Sequence, residues 1–536
     1  MTLLQKAHKL ASKARFPEFL SLCSEILEKS QDSPDTLLSI GFLLQSYGYL
    51  SQALNCYKRI SNDPRALVNM ANIAREQGNH TESIRIYREL LAKLPNNPII
   101  RRNYLVSLEY DPQTEDKARF KAATQRGGWA DKGCIRPAVN NTEKPRIGYV
   151  SADLCQHTAG LFLKDVIKAH TLNIYTYHAD KVTDWVTNEI QKNSEFRDVS
   201  TLDDNALAGV IRKDKIDILV DLSGHTARSR LSVFAHRPAP VQVSWLGYFA
   251  TTGLKAIDAV LLDDWHAPPG TEKYFVEKII RLPSRFCYTP VPFAPLVKDP
   301  PCIKSGCITF GSFNNTAKYN KYVFTLWNKL LEAVPGSKLV LKWRTFQDEE
   351  MQERVRKYFT DPDRVEFRGA SFHKDMLGQY GDIDIALDPF PFTGGLTSCE
   401  ALWMGVPVIT LPQSRVVSRQ TFAFLGIIGL EEFAAKNEDE YIRIAKELAA
   451  DKDKLFELRH SMRERMRNSQ LLDIQGFTEG LETAMIELHQ QIKGVSTMPT
   501  ITIHGKQYDT DKLSDQARNQ LGSIQFVDKK IMELQA

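Results

Sequence analysis

The chain has 536 residues with 69 basic and 65 acidic side chains, a net charge of +4, and 43% hydrophobic residues, which suits several ordinary globular cores and carries no polyelectrolyte signal for nucleic acid. No apolar run reaches the ~18 residues of a membrane span, and the amphipathic start Met1-Thr-Leu-Leu-Gln-Lys-Ala-His-Lys9 lacks a signal-peptide core, so a soluble cytoplasmic protein with no membrane partner is expected. Eight cysteines with no Cys-x-x-Cys pair and no histidine cluster argue against a zinc set and for free thiols in a reducing compartment.

Residues 1–120 repeat internally. Leu38, Gly41, Leu44, Gly48, Ala53, Tyr57 and Ile60 recur as Val68, Ala71, Ala74, Gly78, Ser83, Tyr87 and Leu90, and are preceded by Leu4, Ala7, Leu10, Ala14, Phe19, Cys23 and Ile26. Small residues stand where two helices would cross closely, aromatic and branched ones fill the groove, and Pro34, Pro64 and Pro98 punctuate the units. Stacked helix pairs make a concave surface suited to a protein or peptide; the alternative is that three repeats cap the domain that follows. Residues 121–143 lose the helical periodicity and read as a linker.

Residues 144–302 read as a first α/β domain. Arg146–Ser151, Leu172–Tyr177, Ile216–Leu222, Val241–Leu246 and Ala259–Leu262 are short apolar runs alternating with helical stretches, as in a mostly parallel sheet covered on both faces. Polar clusters follow three of them: Ser151 to His157, Ser223-Gly-His225-Thr226, and Gly247 to Gly253. Open α/β sheets place their sites just beyond strand ends. His157 and His225 are each either a core histidine or a proton acceptor near neutral pH.

Residues 303–495 read as a second α/β domain. The strand Cys307–Phe313 leads into Asn314-Asn-Thr-Ala-Lys318, and strands at Lys338–Trp343 and from Val365 follow. The apolar run Ile383–Leu387 then enters Asp388-Pro-Phe-Pro-Phe-Thr-Gly394-Gly395-Leu-Thr397-Ser398-Cys-Glu400. A helix over Cys399–Met404, ended by a left-handed Gly405, and a strand Pro407–Leu411 complete the unit. A glycine turn opening onto a helix sets backbone N–H groups toward an anion. Thr397 and Ser398 add hydroxyls, Glu400 can accept from a ribose diol, and Lys318 can neutralise a diphosphate as a point charge. The same turn also suits an ordinary βαβ crossover. Asp382-Ile-Asp384 has the form of a metal pair but leads into a buried strand with no third ligand, so no metal is expected. In residues 496–536, Thr500–Asp509 alternates as a hairpin turning at His504-Gly505. From Asp511 one or two helices are expected, with Leu513, Ala517, Leu521, Ile524 and Val527 on one face, either as a docking or oligomerisation element or as an extension that folds back.

Assembled, these motifs resemble the O-linked N-acetylglucosamine transferase and SPINDLY family of protein glycosyltransferases. The resemblance rests on Arg146-Ile-Gly-Tyr-Val-Ser-Ala-Asp…His157, Asp217-Ile-Leu-Val-Asp-Leu-Ser-Gly-His-Thr226, Arg237-Pro-Ala-Pro-Val-Gln-Val-Ser-Trp-Leu-Gly-Tyr248, Thr309-Phe-Gly-Ser-Phe-Asn-Asn-Thr-Ala-Lys318 and the stretch from Asp388 to Pro407. It implies a tetratricopeptide repeat array followed by a GT-B fold, two Rossmann-like domains facing a cleft, with no metal and no cofactor. The implied donor is a nucleotide sugar, UDP-N-acetylglucosamine or alternatively GDP-fucose, and the implied acceptor a Ser or Thr hydroxyl of a protein held by the repeats. Lys318 matches the family lysine on the donor diphosphate, Thr397 and Ser398 on the Gly394-Gly395 turn its phosphate-binding helix start, and Glu400 its ribose-holding acid. Asn315 falls beside a donor-contacting position, His157 matches a histidine of the active-site cleft, and His225 lies in a motif that some relatives write with tyrosine. His373 stands where some relatives have lysine. Transfer to a glycan or an Asn side chain, a non-catalytic scaffold, and an oligomer built through the repeats or the C-terminal segment are the alternatives.

Overall fold

Proline and asparagine set where the N-terminal helices begin. The computed structural model describes residues 2–30, 33–127, 133–140, 142, 144–495, 500–503 and 506–509. Its first seven helices are α1 (Leu3–Ser12), α2 (Phe16–Lys29), α3 (Pro34–Ser46), α4 (Leu50–Lys58), α5 (Pro64–Glu76), α6 (His80–Lys93) and α7 (Pro98–Tyr110). Each of Pro34, Pro64 and Pro98 opens a helix, where its missing N–H costs nothing and its fixed φ is already helical. Asp63 and Asn97 cap α5 and α7 by accepting from the backbone of Arg65 and of Ile99 and Ile100. The repeat pattern is a packing pattern: a Cβ on Gly41 would lie 2.6 Å from the Tyr57 ring, so α3 and α4 cross with no room for one. Helix α7 opens a fourth unit, announced by Pro98 but outside the three repeats read from the sequence.

The first sheet comprises β1 (Ile147–Ser151), β2 (Ile174–His178), β3 (Glu195–Asp198), β4 (Ile218–Asp221), β5 (Val241–Ser244), β6 (Ala259–Leu262) and β7 (Lys278–Arg281). All pairings are parallel, in the order β3-β2-β1-β4-β5-β6-β7. The strands β1, β4, β5 and β6 are buried at every position, which is why they read as apolar runs. The edge strands β3 and β7 carry charged residues and gave no such signal.

The second sheet comprises β8 (Thr309–Ser312), β9 (Lys338–Lys342), β10 (Val365–Arg368), β11 (Ile385–Leu387) and β12 (Val408–Ile409), all parallel in the order β10-β9-β8-β11-β12. An antiparallel pair, β13 (Thr500–Ile503) and β14 (Lys506–Asp509), forms where a hairpin was expected. Its turn residues, and the helices expected from Asp511, lie outside the described residues.

The chain divides into two units that do not follow the expected boundaries in order. Residues 1–114 group with 290–467, and residues 115–289 with 468–536. In the first unit the array docks on the second sheet's domain. Arg344 donates to Gln45 O at 2.8 Å and pairs with Glu76 at 2.7 Å, and Ser51 N donates to Asp348 at 2.5 Å. Gly78, at φ 73°, turns with its α-carbon so near Tyr319 O that a Cβ would lie 2.5 Å away. In the second unit, α8 (Asp116–Gly127) enters the stretch expected to be a linker. The helix Ile474–Val495 returns to the first sheet: Glu482 accepts from His170 Nδ1 at 2.8 Å, Thr171 N at 2.7 Å and Leu172 N at 3.2 Å, and Phe477 stacks on Trp245. Among the described residues no helix is long and apolar enough to cross a membrane.

Candidate active site

Strand order reverses between β8 and β11. The chain leaves β8 toward β9 on one side and β11 toward β12 on the other, so their loops part beyond the C-terminal ends. Such reversals leave the crevice in which open α/β sheets bind ligands. These two loops carry Asn314–Lys318 and Asp388–Gly395.

Lys318 ends a 3-10 turn, Thr316–Lys318, and is half-buried. Its Nζ donates to Asn314 Oδ1 at 3.1 Å and to Thr393 O at 3.0 Å, and lies 5.1 Å from the centre of the Phe392 ring. Asn314 Oδ1 also accepts from Thr397 Oγ1 at 2.9 Å, so one side chain ties the lysine to the start of the glycine-turn helix. Asn315 serves a different end: its Oδ1 accepts from Ala317 N at 3.0 Å and caps the 3-10 turn. Burial pushes the Lys318 ammonium down to about 8, against the pull of Asp388.

Asp388 organises the turn. Its Oδ1 accepts from Gly394 N at 2.6 Å and its Oδ2 from Thr410 Oγ1 at 2.6 Å. Burial pushes its carboxyl up to about 6, opposed by Thr410, Gly394, Thr421 and Lys318. A Cβ on Gly394 would overlap the Ser398 hydroxyl, so glycine is required there. The helix spans Leu396–Trp403, earlier than expected, and Gly405 follows it at φ 79°. No side chain caps its start, so its first N–H groups keep the partial positive charge of a helix N-terminus. Thr397 stands at this start beside Asn314. Ser398 is buried and shares a 2.7 Å hydrogen bond with Thr421, which commits its hydroxyl to the fold. Glu400 is 2% exposed and pairs with His373 Nε2 at 2.5 Å. Burial pushes its carboxyl up and the His373 bond moderates the shift.

The first sheet reverses between β1 and β4, whose loops carry His157 and His225. His157 is exposed at the N-cap of the helix Thr158–Ala169. Its Nδ1 accepts from Ala159 N at 3.4 Å, and Asp153 Oδ2 lies 3.8 Å away, beyond hydrogen-bond reach. Asp153 is itself held by Arg228 at 3.0 Å. His225 is 3% exposed, with Nε2 2.7 Å from Thr252 O and its ring edge-on to Tyr248. That bond fixes the Nε2 proton and makes His225 a brace between two strand-end loops.

The structure thus brings Lys318, Gly394, Gly395, Thr397, Ser398 and Glu400 to one reversal point, and His157 and His225 to the other. Asn314, Asp388, Phe392 and the pairing role of His373 were not foreseen. One signal existed for Asp388: Asp221 likewise ends an apolar strand before a glycine turn, accepting from Ser223 N and Gly224 N. Asp384 accepts from Cys302 N and Thr309 N, and Asp382 pairs with Arg368, so both aspartates hold the fold. Among the described residues no group of acids, histidines and cysteines is arranged to hold a metal.

The family model described as Glycosyl transferase family 41 matches residues 135–289 and 301–481. The chain is 36% identical over 409 residues to the probable UDP-N-acetylglucosamine–peptide N-acetylglucosaminyltransferase SPINDLY of Petunia hybrida, covering 73% of this chain and 44% of that protein. It is 38% identical over 361 residues to the SPINDLY protein of Arabidopsis thaliana, covering 65% and 40%. It spans less than half the length of these curated relatives. Among solved structures, a mutant O-GlcNAc transferase of Thermobaculum terrenum is 30% identical, with a TM-score of 0.84 over 93% of this chain and 100% of that one.

Proposed function

The chain belongs to glycosyl transferase family 41, and from that premise we propose that it is an inverting glycosyltransferase moving N-acetylglucosamine from UDP-N-acetylglucosamine to Ser or Thr hydroxyls of proteins. The observation that carries this reading is the half-buried Lys318, steered by Asn314 and Thr393 beside the uncapped start of the helix Leu396–Trp403. When the sugar leaves, the nucleoside diphosphate gains negative charge. A fixed ammonium and helix N–H groups stabilise that charge as it develops, without reorganising. Thr397 donates its hydroxyl to Asn314 Oδ1 and so fixes the asparagine that steers the lysine at the phosphate, and the His373–Glu400 pair meets the ribose, with Glu400 accepting through an oxygen oriented by the histidine. The relatives' names, as probable UDP-N-acetylglucosamine–peptide transferases, support the uridine donor and a peptide acceptor.

The attacking hydroxyl must lose a proton. His157, exposed at the reversal of the first sheet, is the histidine suited to take it, once its Nδ1 carries the ring proton toward Asp153 instead of accepting from Ala159 N and so leaves Nε2 unprotonated. His225 gives its Nε2 to Thr252 O and braces the loop instead.

Thermal shift with UDP, GDP, UDP-N-acetylglucosamine and GDP-fucose tests the donor. A ligand at about a hundredfold over its dissociation constant adds roughly 3 kcal/mol of stability. The uridine compounds are expected to raise the melting temperature and the guanosine compounds not to. A shift with guanosine compounds alone replaces the donor with GDP-fucose, and no shift with any of the four overturns the reading.

A further inference from the structure

The last helix of the array reaches the groups that hold Lys318. Tyr110, the final residue of α7, stacks on Phe392 with ring centroids 4.2 Å apart and planes at 21°. Phe392 is the ring that the Lys318 ammonium faces at 5.1 Å. On Tyr110 converge the His80 ring of α6, at 6.2 Å and 22°, and the Arg75 guanidinium of α5, at 5.6 Å. Three consecutive array helices therefore feed one stack that ends on the lysine.

A second connection runs from the same helix end. Arg415 is buried and donates through Nη1 to Glu109 O at 3.0 Å and Asp111 O at 3.1 Å, and through Nη2 to Thr114 O at 2.9 Å. It satisfies carbonyls that a helix end leaves without partners. Two residues on, Val417 O accepts from Thr393 N at 3.2 Å and Thr393 Oγ1 at 2.7 Å. Thr393 O in turn accepts from Lys318. The end of α7 thus bears on Phe392 and on Thr393, two of the groups that fix the ammonium.

We propose that Tyr110 is a positioning residue for the donor site: by backing Phe392 it holds that ring over Lys318, keeps water from the ammonium and keeps it aimed at the donor diphosphate, so the repeat array is a working part of the leaving-group site. This rests on the nucleotide-sugar reading above. Aromatic stacking sets the angle of Phe392, and the negative face of that ring stabilises the ammonium most where water is excluded. Without the tyrosine ring, Phe392 can turn and Lys318 is rehydrated. Its attraction for a diphosphate then weakens with the higher local dielectric, and the ammonium keeps its proton to higher pH.

The test is calorimetric binding of UDP and GDP from pH 7 to 10 to the full chain, as wild type and as Y110F, Y110L and Y110A, with a thermal melt of each in the absence of nucleotide. Y110F keeps the ring and is expected to bind as wild type. Y110L and Y110A are expected to bind about tenfold more weakly at pH 7, the scale of one desolvated cation–π contact, and to lose binding at a higher pH than wild type. If Y110A does not fold, Y110L, which keeps apolar volume without the ring, decides. Wild-type affinity and pH midpoint in Y110L overturn the proposal. So does a loss of affinity that is uniform across pH and accompanied by a lowered melting temperature, since that is packing alone. Failure of the wild type to bind either nucleotide is a separate result, and it sinks the donor reading itself.

Discussion

Lys318 holds its charge in a half-buried setting, and that fixes a pH window for any ligand it serves. Below about 8 the ammonium is present; above it the proton is lost, because burial has lowered the pKa from 10.5. Nucleoside diphosphate affinity is therefore expected to be flat from pH 6.5 to 7.5 and then to fall by up to tenfold per unit above about 8, read by calorimetry. Stability moves the other way. The unfolded chain keeps this proton up to 10.5, so between about 8 and 10.5 the unfolded state binds more protons, and raising pH relieves the cost of burying the charge. A nucleotide affinity that stays level through pH 9.5 would show that Lys318 is not the group holding the phosphates. The same scale explains which neighbours matter. Of two adjacent asparagines, Asn314 meets the lysine and Asn315 caps the turn.

At the scale of elements, the helix Ile474–Val495 is held at the first sheet by the Phe477–Trp245 stack and by the carboxylate of Glu482. Burial alone would raise the Glu482 pKa, but hydrogen bonds from His170 and Thr171 outweigh it and hold the group at about 2, below its ordinary 4.5. A depressed carboxylate contributes stability above the unfolded value and loses it as pH falls through the folded one. Urea melts are therefore expected to show stability declining as pH drops from about 4.5 toward 2, and Glu482→Gln is expected to start less stable at pH 7 and to decline less over that window. A variant with the wild-type slope would place the acid-labile contact elsewhere. The fully buried strands were legible as apolar runs and the turn at Gly394 as a glycine pair before a helix. What was not legible depends on partners far along the chain. Glu482 meets Thr171, His225 meets Thr252, and Arg415 meets the end of α7, and no local pattern announces any of these. The edge strand β3, Glu-Phe-Arg-Asp, was missed because an edge has no need of a continuous apolar run. Pro98 did mark α7, but the residues that follow it do not repeat the pattern, which stopped at three copies.

Across the whole molecule, a helical array and a five-stranded sheet make one unit, and a seven-stranded sheet with the returning helix Ile474–Val495 makes the other. Each sheet reverses its strand order once, and the residues that sequence reasoning singled out lie beyond those reversals. The array is joined to the second sheet's domain by Arg344, Asp348 and Arg415, so it is a fixed neighbour of the lysine rather than a free appendage. Under the proposed function, Lys318 is the group that receives the leaving diphosphate. The most direct test is transfer of labelled N-acetylglucosamine from UDP-N-acetylglucosamine into the proteins of a cell extract, comparing wild type with Lys318→Ala at pH 7. The wild type is expected to label protein, and the variant to do so about 10²–10³-fold more slowly while keeping its fold and its partners, the loss typical of one preorganised charge-stabilising donor. Equal labelling by the two proteins would contradict the account.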